Sequence, residues 1–143
     1  VSLFPGVFMS LIEKISALEK EMNAVLNNGR KEVHAELFKL IDEGVFQKFP
    51  DVESVGWTQY TPYFNDGEPC HFGINTAPYS IYVNDECGYD LGDEEWAKHE
   101  DVREYVSDII DKLSPHILET LYDEGLVVIK RDGTFEVEDY DHD

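Results

Sequence analysis

Residues 85–143 carry twenty acidic side chains against five basic ones, a net of −15, whereas residues 1–84 carry eleven against six, a net of −5. Carboxylates gathered this densely repel one another and must stay in water. Any element built from the second half therefore gives one face to charge and has to bury the other. The residues for burial are present: the chain is 42% apolar and 13% aromatic, with eight Phe, eight Tyr and two Trp. Disordered acidic segments lack such residues, so a folded core is expected, and 143 residues suit one domain. The total of −20 argues against unaided binding to a nucleic-acid backbone, which needs Lys and Arg to displace counterions. It argues equally against docking by charge on an anionic membrane.

Residues 1–12, the longest nearly uncharged stretch, are too short and mixed for a membrane span and lack the basic start and small-residue cleavage site of a secretory leader. Cys70 and Cys87 make one possible pair, which is no disulfide framework. A reducing, cytoplasmic setting is expected, with residues trimmed ahead of Val1.

Leu11, Ile15, Leu18, Met22 and Val25 are spaced four, three, four and three apart, the 3.5-residue repeat of a coiled coil. Glu13, Lys14, Glu19, Lys20 and Glu21 lie between the seam positions as a charged outer face. Asn27-Asn28-Gly29 then reads as a helix stop or a tolerated weak point, and Val33, Leu37, Leu40 and Ile41 resume the helical spacing toward Phe49-Pro50. Residues 1–49 are thus helical, either as a hairpin or bent helix packed on the chain's own sheet, or with the seam serving a homodimer.

Residues 53–84 read as an antiparallel meander. Strand 54–64 carries Val55, Trp57, Tyr60 and Tyr63. Asn65-Asp66-Gly67 is a turn signal. Strand 70–75 follows, and then strand 79–83 with Tyr79, Ile81 and Val83 on one face. After an acidic loop at 84–95, Asp93 is placed to cap an acidic helix over 93–124, whose buried side is Val102, Val106, Ile109, Ile110 and Leu113. Ser114-Pro115 breaks it, and a continuation buries Ile117, Leu118 and Leu121. Residues 126–139 flank Arg131-Asp132-Gly133 as a β-hairpin, and the tail 139–143 frays. The expected architecture is a single α+β domain, with N-terminal helices and a C-terminal helical segment on one face of an antiparallel sheet of about five strands.

The stretch Trp57-Thr58-Gln59-Tyr60-Thr61-Pro62-Tyr63-Phe64-Asn65-Asp66-Gly67-Glu68-Pro69-Cys70 resembles a segment of small, acidic bacteriophage proteins of no assigned activity. The likeness covers residues 45–75. It implies a phage or prophage origin and action inside a bacterial cell, and it carries over no catalytic residue.

Asp101, Glu104, Asp108 and Asp111 recur at three, four and three, which places them in one stripe opposite the apolar side of their helix. At a rise of ~1.5 Å per residue, neighbours along it stand roughly 4.5–6 Å apart, comparable to the advance of phosphates along a DNA strand. Such a stripe suits the basic groove of a nucleic-acid-handling protein, and Asp93, Glu94, Glu95, Glu136, Glu138 and Asp139 are candidates to extend it. The plainer reading is a solvated, solubilising surface; Arg103 and Lys112 do little to neutralise it.

For metal binding, Cys70, His71, Cys87, His99 and His116 are the available soft ligands. No paired-ligand spacing joins them, and adjacent strand residues Cys70 and His71 face opposite ways. The alternating Asp139, Asp141 and Asp143 lack the caged loop of a calcium site. For catalysis, no nucleophile elbow, phosphate loop or dinucleotide fingerprint is present; Asp66 and Glu68 are the nearest to a carboxylate pair. Trp57, Tyr60, Tyr63, Phe64 and Phe72 read mainly as core, with Tyr60, Tyr63 and Gln59 as exposed contacts for a partner. A pocket for nucleotides needs cations, and Arg30, Lys31, Lys130 and Arg131 are the few on offer.

The leading expectation is a non-enzymatic inhibitor without cofactor or metal. It binds a bacterial protein with a basic surface or nucleic-acid groove, with no direct contact to nucleic acid or membrane, and plausible dimerisation through the 11–25 seam. A sponge for a nucleotide immune signal, a small metal-dependent hydrolase and a structural phage component are the alternatives.

Overall fold

A computed structural model describes residues 5–62, 67 and 69–140. The expected turn at Asn65-Asp66, the contact residue Tyr63, the ring of Phe64, the Asp66–Glu68 pair and the tail residues Asp141, His142 and Asp143 lie outside the described residues. The fold is α+β. Helix α1 (Pro5–Ile41) leads through a π-helical turn (Asp42–Phe46) into strand β1 (Ser54–Tyr60). Short strands β2 (Gly73–Ile74), β3 (Tyr82–Val83) and β4 (Glu86–Cys87) follow, then helices α2 (Asp93–Lys98), α3 (Glu100–Lys112) and α4 (Pro115–Tyr122), and strands β5 (Gly125–Lys130) and β6 (Phe135–Glu138). Two compact units are distinguished, Val1–His34 and Ala35–Asp143. Among the described residues no helix is long and apolar enough to cross a membrane.

Asn27-Asn28-Gly29 does not stop the first helix, which runs unbroken for 37 residues. A glycine inside a helix costs only about 1 kcal/mol relative to alanine, and no proline follows to force an exit. The exit comes later, through the π turn. There the Tyr105 ring lies on Gly44, so close that an added Cβ would stand 2.1 Å from it, and the Tyr105 hydroxyl donates to the Leu40 carbonyl at 2.7 Å. Any larger residue at 44 would displace that ring.

In the second unit the sheet order is β4-β3-β1-β5-β6, with β2 also paired to β1, and every pairing is antiparallel. The expected meander is therefore corrected: β2 and β3 both flank β1 instead of following one another. Pro78 opens a 3-10 turn (Pro78–Ser80) that removes Tyr79 from the strand and exposes it, while Ile81 and Val83 stay buried. Part of the loop expected at 84–95 is strand β4. It turns back through Asn84 and Asp85, both with positive φ (51° and 67°); this hairpin geometry suits short polar side chains. The Arg131-Asp132-Gly133 turn joins β5 to β6, with Asp132 Oδ1 accepting from the Thr134 amide and hydroxyl.

The expected acidic helix over 93–124 is three helices. The chain kinks at His99, whose φ of −127° and ψ of 26° leave the helical region, and again before Pro115. Gly92 stands at the N-cap, so Asp93 is the first residue of α2, not its cap. Val102, Val106, Ile110, Leu118 and Tyr122 pack against Val55, Trp57, Val127 and Ile129 of the sheet, together with Leu37, Ile41, Val45 and Phe46. Inside this core Gln59 is fully buried and saturated: it accepts from Trp57 Nε1 at 2.9 Å and donates to the carbonyls of Leu118 and Asp123.

Arg131 closes the unit. Its guanidinium donates to the carbonyls of Phe46, Phe49 and Val52 and lies 5.2 Å over the Phe46 ring. One side chain thereby holds the π turn and the loop before β1 to the last hairpin. Arg131→Ala should destabilise by about 2–4 kcal/mol, since it leaves three carbonyls without their charged donor. Urea unfolding will show a lower midpoint at unchanged slope, and Arg131→Lys, lacking the planar fork, should recover only part of the loss.

Burial pushes the Tyr122 phenol above its ordinary value of 10. The neutral ring is thus favoured in the folded state. The corresponding stability is fully present below pH 10 and is lost as pH rises beyond it. The thermal midpoint should fall as pH rises from about 10 to about 11, and fall less in Tyr122→Phe.

Candidate functional site

Helix α3 is amphipathic, with Val102, Arg103, Val106 and Ile110 buried. Asp101, Glu104, Asp108 and Asp111 are all exposed on its other side. Asp93, Glu94 and Glu95 are likewise exposed on α2, the helix just before. With Glu100, also exposed, eight carboxylates thus stand in water along two consecutive helices. The lysines on these helices are each paired with one acid: Lys98 with Glu95 at 3.0 Å and Lys112 with Asp108 at 2.9 Å. The Asp108 contact holds the Lys112 ammonium above its ordinary value.

Arg103 belongs to the same helix but to its inner side. It is 1% exposed; Nε donates to the Ile81 carbonyl at 3.3 Å and one terminal nitrogen to the Glu86 carbonyl at 3.0 Å. The Trp96 ring covers the guanidinium at 5.5 Å, and Tyr79 stacks on Trp96 at 4.2 Å. Desolvation lowers its pKa from the ordinary value. Its other terminal nitrogen, Nη1, is buried without a partner. Arg103 thus fixes α2 and the β3–β4 hairpin against α3 and lends no charge to the outer carboxylates. Its core-facing position was readable from the spacing Arg103, Val106, Ile110.

Glu136 and Glu138 do not extend the stripe. Phe135 meets Tyr122 of α4 edge-on at 5.0 Å, so Phe135 and Val137 face the helices and, by strand alternation, Glu136 and Glu138 face the other side of the sheet. There they rim a separate cavity of about 490 Å³ together with Glu53, Asp85 and Asp132. The two cations in it are engaged, Lys130 with Glu136 at 2.6 Å and Arg131 with main-chain carbonyls. Five carboxylates round two committed cations give phosphate no binding surface.

Of the aromatic segment, Trp57 is core and Gln59 is buried with it, which withdraws Gln59 from any contact surface. Tyr60 is half-buried and stacks on Tyr140 at 5.5 Å. Cys70 and Cys87 are free thiols. Cys70 and His71 precede β2 and are not part of a strand, which corrects the expected opposition of their side chains. Among the described residues no group of three or more His, Cys, Asp or Glu is placed to hold a metal ion.

The seam residues Leu11, Ile15, Leu18, Met22 and Val25 all lie on α1 and are 47–72% exposed. Comparison with known proteins gives no matching family model, no similar curated protein and no similar solved structure. The reading of this surface therefore rests on its own geometry.

Proposed function

We propose that this chain is a non-enzymatic inhibitor that blocks a bacterial protein by laying the acidic face of α2 and α3 into a basic, nucleic-acid-handling surface. The observation that carries the reading is the outer face of α3, where four carboxylates follow one helical line and the one arginine of the helix is turned inward. A rigid helix presents these charges without the ordering cost of a flexible acidic tail, and rigidity is what lets carboxylates compete with a phosphate backbone. The likeness of segment 57–70 to small phage proteins supports action in the bacterial cytoplasm against a defence factor. The nucleotide-sponge reading is less favoured, because Lys130 and Arg131 are already committed.

Capture from bacterial lysate on the immobilised protein, after nuclease treatment, should retain a protein that handles nucleic acid and elutes as salt rises, since exposed ion pairs are screened over about 8–10 Å at physiological salt. The fourfold variant Asp101→Asn, Glu104→Gln, Asp108→Asn, Asp111→Asn should lose at least tenfold in affinity for it. Like-charge neighbours at these spacings cost only a few tenths of a kcal/mol each, so the variant should unfold within about 1 kcal/mol of the parent. Undiminished binding by the folded variant would remove the acidic face from the mechanism.

A further inference from the structure

The net charge is confined to one of the two units. Val1–His34 holds four acids (Glu13, Glu19, Glu21, Glu32) and four bases (Lys14, Lys20, Arg30, Lys31), a net of zero, so the whole −20 belongs to Ala35–Asp143. The neutral unit is the first part of a 37-residue helix, three times the average length. Leu11, Ile12, Ile15, Leu18, Met22, Val25 and Leu26 are all exposed on it. A helix carrying Asn27-Asn28-Gly29 does not gain its stability from propensity, but from packing its apolar face on something.

We infer that a second copy of this chain covers that face, through an antiparallel two-helix coil centred between Ile15 and Leu18. The occupant needs the same 3.5-residue seam to set knobs into holes, and it must approach a molecule of charge −20 without repulsion. The neutral helix of another copy satisfies both conditions. In the antiparallel register Leu11 meets Met22 of the second copy and Ile15 meets Leu18. Lys14 and Glu21, each one residue ahead of a seam position, then face each other across the interface twice, as a twofold axis requires. A parallel pair also joins opposite charges, Lys14 to Glu19, but brings the two residues 35, where the acidic units begin, within about 10 Å. The antiparallel pair holds them roughly 55 Å apart at ~1.5 Å per residue, several screening lengths at physiological salt. Charge therefore selects the antiparallel form.

Light scattering on the full chain should give twice the 16.4 kDa mass at micromolar concentration, and Leu18→Glu should give the single-chain mass, with the near-ultraviolet signal of Trp57 showing that the second unit is still folded. Lys14→Glu should raise the dissociation midpoint at least tenfold, and adding Glu21→Lys should restore it. A parent of single-chain mass, or a Leu18→Glu dimer, overturns the proposal and leaves the face to another protein or a lipid surface. Restoration by Glu19→Lys in place of Glu21→Lys overturns the antiparallel arrangement. The fourfold α3 variant should keep the double mass, which separates this test from that of the acidic face.

Discussion

The Arg131 guanidinium organises this molecule. It gathers the carbonyls of Phe46, Phe49 and Val52, where the chain passes from a helix to the central strand, and it does so from the turn of the last hairpin. Arg103 plays a parallel part at the other end of the sheet, serving Ile81 and Glu86 beneath Trp96. Both arginines are thus directed at backbone dipoles. Residues 35–143 hold 27 acids and seven bases, and turning two of those seven onto backbone carbonyls, Arg103 buried and Arg131 half-buried, sharpens the imbalance outside. The surface is acidic partly because the fold claims its strongest cations.

What the sequence disclosed follows from periodicity. The seam at 11–25 and the stripe at 101–111 each extend over several turns, and an angular pattern that long admits one reading. The breaks were less legible because they depend on tertiary partners. Gly29 looks like a stop and is not, while Gly44 is decisive only because the Tyr105 ring arrives from 61 residues away to lie on it. Strands of two residues, such as β2, β3 and β4, are too short to show alternation at all. The Asn84-Asp85 turn carries the polar chemistry of a hairpin without its usual glycine.

The candidate site divides along the same line. Helical carboxylates could be assigned to a face from their spacing alone, since both sides of α3 are written into one run of thirteen residues. Strand carboxylates could not: Glu136 and Glu138 share a parity, but which parity faces the helices is settled by Phe135 meeting Tyr122. Gln59 illustrates the opposite error. A polar side chain among aromatic residues suggests a contact surface, yet it lies in the core because Trp57 Nε1 and two carbonyls of the α4 end all require a partner there.

Charge segregation gives the two units different physical duties. On the proposed reading an acidic body that meets a basic target gains from every uncompensated carboxylate, but each of them also opposes self-association of that body. A chain with its acids spread evenly would have no surface suited to a second copy. Concentrating all of the net charge after His34 leaves a neutral helix whose exposed Leu, Ile, Met and Val side chains draw chiefly on the hydrophobic effect, which salt does not weaken. If both proposals hold, high ionic strength should act differently on the two surfaces, loosening the grip of α3 on a basic groove while leaving the seam of α1 intact.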